Sequence, residues 1–540
     1  MQDAPSDFLI PSFSPLVRDY LAHHPDVDAL HHGIPHEEAL LERHRQRRIP
    51  AAIRSALTEV IRQQYSGLHL PQAVSVNLDL LGEETTTTIT TGHQLCLATG
   101  PLYVVYKMAS AIALAARISA RADAGKVVPV FWMATEDHDI AEINHAWIGD
   151  LRAEWNITAQ GPVGNLPIHG LPEAIRAFTE MIPAMPFREE AARILEQSIE
   201  SGESYARSFR RLVHALFGDH GMIILDASDA RLKRFFAPVM EEELRTGIIH
   251  THVQDVNRKL VSLGYEAQVH PRNPNLFLIG EGSRHRLNRT TSGTIAEVDG
   301  QRDAPVEEWI RMLREDPGQF SPNVLMRPLY QETILPNLAV VGGPGELAYW
   351  LQLRTTFEAF GVQYPYLILR DSFLLVNRKQ LQRLHKLGLR LQDTMQDRVA
   401  LERRMADEAG LTDVTREREA IAAIFDQLAE RARQVDPTLE AAARAEGQRQ
   451  QEALLNMGKR MMRAAKAREE QRITQLHKLL DEWFPEGGPQ ERHDNYFDHA
   501  VRSGGFFHAQ LIACADPLDT RIKVVELQEN SRVNPATIAE

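Results

Sequence analysis

Four titratable residues stand in a row at Glu136-Asp137-His138-Asp139. Carboxylates beside an imidazole suit two kinds of chemistry. They can ligate a divalent metal such as Zn²⁺ or Mn²⁺. They can also move protons, a carboxylate orienting His138 while Asp137 or His138 acts as a base. A solvated acidic loop is the plain structural alternative. The position directly after an apolar strand favours a site, because clustered acids and histidines perturb one another's pKa values. There is no second compact His/Cys group with ligand spacing, which favours proton transfer over a metal, although distant stretches of sequence can also supply ligands.

A second group is Thr91-Gly92-His93-Gln94, continued by Cys96 and Gly100-Pro101. It lies between a β-branched run and a helical pattern. A helix N-terminus offers free N–H groups and the positive end of a dipole, so it suits an anion. His93 is placed to donate to a phosphate or carboxylate, and Lys107 to reach back toward it. Cys96, flanked by Leu95 and Leu97, reads as a buried, inert thiol. The third group is Gly342-Gly343-Pro344-Gly345-Glu346-Leu347-Ala348. Gly343, Gly345 and Ala348 match the dinucleotide pattern G-x-G-x-x-G/A, and Asp371 falls near where a ribose-binding acid belongs. Pro344 is an odd occupant of a phosphate turn, and close helix–strand packing explains the glycines equally well. No Walker-type loop occurs.

These groups need strands to present them. Strands are predicted at 85–90, 127–133, 221–226, 276–279, 337–341 and 366–370, with helices between most of them. That alternation indicates a parallel α/β sheet. A helix over Leu102–Ala122 joins the first two strands in what should be a right-handed unit. All three groups then fall at the carboxyl edge, where open sheets bind ligands. Residues 150–220 read as an insertion with a helix around 186–217. Residues 1–80 look helical, with 37–48 as a solvated charged face.

From Lys379 the pattern changes. Leu381, Leu384, Leu387, Leu391, Met395 and Val399 recur at steps of three and four, an amphipathic stripe. Gly410 breaks it, and helix resumes to about 434. Asp436-Pro437 reads as a helix start. From there to Trp483 there is no proline and only Gly447 and Gly458. About 46 residues would make a helix of roughly 70 Å, packed back as an antiparallel coiled-coil arm. Residues 503–527 read as returning strands. The predicted division is a core over 1–378, a helical arm over 379–485, and a segment 486–540 returning to the core.

The chain has 540 residues and 43% hydrophobic content, enough for more than one core. A net charge of -13 argues against general nucleic-acid or anionic-membrane binding. Two cysteines cannot frame a disulfide scaffold, which fits a reducing cytoplasm. The first residues have no signal-peptide pattern, and no run of about 18 apolar residues occurs.

Four stretches together carry a family resemblance: TGHQLCLATGPLYVVYK (91–107), PVFWMATEDHDIAEIN (129–144), MRPLYQETILPNLAVVGGPGELAYWLQL (326–353) and PEGGPQER (485–492). They closely resemble the bacillithiol biosynthesis cysteine-adding enzymes, the BshC family. The resemblance implies a Rossmann-like core with connecting insertions and a coiled-coil domain that supports a homodimer in the cytosol. It implies a ligase that joins the carboxyl group of L-cysteine to the amine of glucosaminyl malate, the last step of bacillithiol assembly. The core also resembles nucleotidyltransferases, in which a His-Gly loop steadies an α-phosphate. Thr91-Gly92-His93-Gln94 sits at that junction but lacks the usual second histidine.

A free carboxylate is a poor acyl donor, so ATP with Mg²⁺ is the expected activator. In that scheme His93 and Lys107 stabilise phosphate charge, and Asp137 or His138 takes the amine proton. Arg327 and Gln331 hold a malate carboxylate. The expected binding set is completed by Thr91, Gly92, Gln94, Gly100, Trp132, Glu136, Asp139, Asn144, Tyr330, Gly342, Gly343, Gly345, Glu346 and Tyr349. Two other functions compete: an NAD(P)-dependent oxidoreductase built on the 343–348 loop, and a non-catalytic coiled-coil scaffold.

Overall fold

The computed structural model describes residues 13–527 other than 124 and 408–409. The chain forms two compact units. One holds the chain up to Leu375 and again from Gln490; the other is Val376–Pro489.

In the first unit the strands up to Leu369, in chain order, are β1 (Thr87–His93), β2 (Val127–Met133), β3 (His145–Ile148), β4 (Leu151–Glu154), β5 (Ile223–Leu225), β6 (Leu276–Gly280), β7 (Ser283–Arg289), β8 (Ile295–Glu297), β9 (Asp303–Ala304), β10 (Phe320–Pro322), β11 (Asn337–Gly342) and β12 (Tyr366–Leu369). Five of them make a parallel sheet in the order β12-β11-β1-β2-β5. Counted among themselves, these strands have the doubly wound order 3-2-1-4-5, with the switch point between β1 and β11. The connection from β1 to β2 is α1 (Leu102–Arg121), whose valine and leucine side chains are all buried. By length and composition α1 could span a membrane, but 72% of its apolar window is inside the protein, as expected of a core helix.

β1 is built from threonines because it is central and buried on both sides. Their branched Cβ atoms favour the extended chain, and their hydroxyls need partners. Thr88 and Thr90 donate to the Asn337 side chain on β11 at 3.2 and 2.9 Å, and Thr91 donates to the Val341 carbonyl at 2.8 Å. These bonds fix β1 against β11 where the switch-point crevice opens.

The strand expected at 276–279 exists but is not in the parallel sheet. β6 belongs to an antiparallel sheet ordered β10-β6-β7-β8-β9. A short apolar run shows strand type, not which sheet it joins. The 150–220 stretch holds three helices, Leu171–Met181, Arg188–Gln197 and Tyr205–Phe217, rather than one.

The run 37–48 is not a solvated face throughout. Arg43, His44 and Arg47 are buried. Arg47 donates to the carbonyls of Glu332 and Leu335, and Arg43 to that of Tyr364, so the guanidinium groups satisfy carbonyls that lack ladder partners.

Residues 503–527 hold more helix than strand. Phe506–Cys514 is a helix, and only Lys523–Glu526 is a strand. The 485–492 stretch has a clear role. Glu491 receives two bonds from the buried Arg370 guanidinium, and the Gln490 side chain accepts the Leu375 N–H. Next to them, the Asn495 amide donates to the carbonyls of Ala98 and Gly100, both at 2.8 Å. The chain from 490 onward therefore clamps the loop that leads into α1. Residues 1–12 and 528–540 of the predicted terminal segments lie outside the described residues.

The second unit is helical. Thr415–Val435 and Leu439–Arg468 form an antiparallel hairpin. Gly447 faces Phe425 and Gly458 faces Val414; an added Cβ would come within 2.6 Å and 3.1 Å of those side chains. The glycines are therefore where the helices approach most closely. The expected 46-residue helix is divided at Glu469, with Glu470–Trp483 following. The division coincides with a change of packing: Ile473, Leu476, Leu479, Leu480 and Trp483 are buried, whereas the hairpin helix buries only its glycines. Asp436 does not cap the long helix directly; its carboxylate holds the turn through the Thr438 N–H and hydroxyl. The stripe 381–399 is also divided, because Gly388 turns at φ 75° and separates Arg378–Lys386 from Arg398–Ala406.

Candidate functional site

A cavity of about 730 Å³ opens at the carboxyl edge of the parallel sheet. β1 contributes Gly92 and His93, followed by Gln94. β2 contributes Trp132 and the chain through His138. Ala227 and Ser228 follow β5. Arg327 and Tyr330 come from α2 (Arg327–Ile334), and Glu346 and Tyr349 from α3 (Pro344–Trp350). The antiparallel sheet and its approach supply the rest, including His270, Arg272, Phe277, Arg284 and Arg286.

Gly92 is required by the sheet. A Cβ there would meet the Trp132 carbonyl at 2.9 Å. Gly100 is required by conformation, with φ 70° and an added Cβ 2.5 Å from that of Cys96. The loop between these glycines carries Ala98 and Thr99 at positive φ as well. It backs His93, whose Nδ1 lies 3.2 Å from the Gln94 carbonyl. A carbonyl only accepts, so Nδ1 carries the proton and Nε2 is left with its lone pair. Burial, reinforced by Lys107, lowers the His93 pKa to about 3. His93 is therefore neutral at physiological pH and supplies no positive charge to a phosphate. Burial also pushes the Cys96 thiol up to about 12, so it is not a thiolate nucleophile.

Lys107 is buried and ion-paired with Glu346, and it donates to the Gly92 carbonyl at 3.1 Å. Glu346 in turn accepts the Gly343 N–H at 2.9 Å. Burial pushes the Glu346 carboxyl up, but Lys107 and the Gly343 N–H outweigh it and hold the group below its ordinary range. This arrangement corrects the dinucleotide reading. The N-terminus of α3 already holds a carboxylate, and Pro344 has no N–H to offer. Asp371 is buried away from the cavity, accepts from Ser110 and pairs with Lys523. A ribose has no acid to meet there.

The 136–139 run does not converge on one point. Glu136 pairs with buried Lys233, which also donates to the carbonyls of Gly318 and Phe320. Asp137 accepts from Gln94 and from the His138 N–H, and lies 3.5 Å from Arg284. Arg284 donates to His138 Nδ1 at 2.9 Å, which fixes the proton on Nε2. Asp139 caps Ile140–Ile143 outside the cavity. The run therefore ties the parallel sheet to the antiparallel one. Among the described residues, the acids and histidines that gather at ligand distance are Asp494, Asp498 and His499, none of which lines the cavity.

Of the expected residues, His93, Asp137, His138, Gly92, Gln94, Lys107, Trp132, Glu136, Arg327, Tyr330, Glu346 and Tyr349 meet in the cavity wall. Eight do not. Thr91 is spent on β11, and Gly100 shapes the backing loop. Asp139 is a cap, and Asn144 bonds Glu154 at 3.3 Å. Gln331 is buried behind Arg327, accepting its Nη1 at 3.1 Å and passing the network to Glu332 and Asn337. Gly342 ends β11, Gly343 caps Glu346, and Gly345 faces open space.

Sequence reading missed Glu142 and the arginine wall. Arg284 and Arg286 alternate along Ser283–Arg289, opposite Ile279 and Phe277, which places both on one face of the strand. That alternation was the available signal. The Arg284 guanidinium stacks on Phe277 at 3.8 Å. Arg286 Nε is buried without a hydrogen-bond partner. Arg327 is held by Gln331 and the Tyr349 hydroxyl over the Trp132 ring. No carboxylate pairs with Arg272, Arg286 or Arg327 among the described residues.

The strand order, the switch-point cavity and the separate helical hairpin define a Rossmann-like α/β protein with a coiled-coil unit. The chain belongs to the BshC family of bacillithiol biosynthesis: residues 6–371 match the model of the family's N-terminal Rossmann-like domain, and residues 373–527 that of its C-terminal coiled-coil domain. Curated relatives carry the name "Putative cysteine ligase BshC". One from Flavobacterium johnsoniae is 33% identical over 95% of this chain and 98% of its own length. Those from Christiangramia forsetii and Cytophaga hutchinsonii are 32% and 33% identical, each over 95% of this chain and covering 97% and 96% of their own lengths.

Proposed function

We propose that the chain is a cytosolic ligase that joins the carboxyl group of L-cysteine to the amine of glucosaminyl malate, the final step of bacillithiol assembly. The observation that carries this reading is the polarity of the cavity. Arg272, Arg286 and Arg327 present guanidinium groups with no carboxylate partner among the described residues, which suits the two carboxylates of a malate. Glu142 and Asp137 line the same cavity and suit an ammonium. A cavity of about 730 Å³ is within the range of small-molecule sites. The family membership and the name of the relatives agree with a cysteine substrate.

Amide formation needs the cysteine carboxyl oxygen converted to a leaving group, and ATP with Mg²⁺ is the proposed activator. His93 is neutral and Lys107 is paired with Glu346, so neither brings a free positive charge to a phosphate. The homodimer belongs to the same proposal. Ile424, Leu428, Val435 and Leu439 are exposed apolar residues on the helical unit.

The test is a mass-spectrometric assay of protein with cysteine and glucosaminyl malate, with and without ATP and Mg²⁺. Thiol formation with stoichiometric AMP supports an acyl-adenylate; stoichiometric ADP supports an acyl-phosphate. Thiol without nucleotide turnover refutes the ATP component. No thiol with folded protein under any of these conditions refutes the reading.

A further inference from the structure

The cavity wall holds four carboxylates: Glu136, Asp137, Glu142 and Glu346. Three are engaged. Glu136 is neutralised by Lys233 and Glu346 by Lys107. Asp137 is bound by Gln94, the His138 N–H and Arg284. Glu142 differs from them. Its backbone is fixed, the N–H by Asp139 at 3.2 Å and the carbonyl by the Cys96 thiol. Its carboxylate has no hydrogen-bond or ion-pair partner among the described residues. The residue is exposed to solvent and lines the cavity.

The imidazoles are poorer bases. His138 uses its Nδ1 lone pair on Arg284. His93 has a free Nε2 but holds a proton weakly in its buried site. His270 lines the cavity in the same stretch as the cation Arg272.

We propose that Glu142 is the general base that deprotonates the amine nucleophile. The inference rests on the amide-forming function proposed above and names the group that starts the step. The Glu142 carboxylate takes one proton from the sugar ammonium. The freed lone pair forms the C–N bond to the activated cysteinyl carbonyl carbon. The bond from that carbon to the phosphate oxygen breaks, and its electron pair leaves with the phosphate-bearing group as AMP or phosphate. The second N–H proton passes to water. The setting supports the role: partial desolvation, then Asp137 and Asp139, raise the Glu142 pKa, while Lys107 opposes them. Tyr103 and Cys96 also face this carboxylate and are both neutral, their pKa values raised by burial. A carboxylate above its ordinary range is better matched to an ammonium than an ordinary one.

The experiment compares wild type, Glu142→Gln and Glu142→Asp in full-length protein, measuring thiol formation from pH 6 to 10 and glucosaminyl malate binding by calorimetry. Melting temperatures confirm folding. The expected result for Glu142→Gln is a kcat at least about 100-fold lower at pH 7, in line with general-base contributions. Binding should weaken far less than kcat falls, and the rate deficit should close above pH 9, where the substrate amine is already neutral. Glu142→Asp should recover part of the rate. A Glu142→Gln enzyme with near wild-type kcat at pH 7 overturns the proposal while leaving the ligase reading intact. So does a deficit that is the same at every pH, or one that lies wholly in binding. A wild type that makes no thiol fails the ligase reading and the base together, and is distinguished by the failure of the unmutated protein.

Discussion

Glu346→Gln tests the electrostatics of the cavity floor directly. Glutamine keeps the shape of the side chain and can still accept the Gly343 N–H. It removes the anion that, among the described residues, pairs with Lys107, which is 3% exposed. Breaking a buried pair by removing one partner costs roughly 3–5 kcal/mol. A ceiling follows from the lysine itself, since it can escape by losing its proton. With an unfolded lysine pKa of about 10.4 and about 1.36 kcal/mol per unit, neutralising it costs about 4.6 kcal/mol at pH 7. The same route costs about 1.9 kcal/mol at pH 9.

Burial already lowers the Lys107 pKa against the pull of Glu346, and without Glu346 the lowering deepens. The unfolded chain then binds more protons than the folded one across this range, so the variant should gain stability as pH rises toward 9. The assay is urea denaturation at pH 7 and 9. It is followed by tryptophan fluorescence, since all six tryptophans but Trp483 lie in the unit containing the pair. A loss below about 1 kcal/mol at pH 7, or one equal at both pH values, would refute a charged, desolvated Lys107. The double change Lys107→Met with Glu346→Leu should restore most of the loss, because an apolar pair leaves no charge to desolvate.

Arg286→Ala should raise KM for glucosaminyl malate about 10- to 100-fold with a smaller effect on kcat, as expected for the loss of a charged hydrogen bond made in ground and transition states alike; steady-state kinetics with cysteine saturating would show it, and an unchanged KM would remove Arg286 from the site. The His93 resonances should not titrate between pH 8 and 5 in NMR; because the folded pKa is depressed to about 3 from about 6.5 when unfolded, His93 makes stability fall as pH drops from 6.5 toward 3. Glu491→Ala, which strands the buried Arg370, should cost roughly 3–5 kcal/mol in the same urea assay. Analytical ultracentrifugation at micromolar concentration should give a dimer mass that Ile424→Asp with Leu428→Asp shifts to the monomer; a wild-type monomer would remove the dimer.

The parallel sheet was legible because its signals are local: β-branched runs such as 87–91, a single apolar crossover helix, and glycines at strand ends. The edge at which chemistry would gather followed from the topology. The roles inside the site were less legible because they depend on partners remote in sequence. Nothing near Glu346 announces that Lys107 will neutralise it. Nothing near Asp137 shows that Arg284, far along the chain, will bind both it and His138. Arg286 was overlooked because a polar strand face reads equally well as a solvent face. The break at Glu469 carries no glycine or proline signal; it coincides with the point where the helix begins to bury apolar side chains.

The clamp formed by Glu491 and Asn495 has a consequence for biosynthesis. The loop it secures is made early and the clamp late, with roughly 400 residues between Ala98 and Asn495. At about 5–20 residues per second the ribosome takes roughly 20–80 s to cover that interval. Throughout it the strained turn at 98–100 has neither of its amide donors, and Arg370, once made, lacks its counter-ion. The cavity backing is thus among the last parts of the first unit to settle, while the helical hairpin, made of local contacts, can form before it. Nascent chains halted before residue 490 should expose the 95–100 loop to proteases that the finished protein resists.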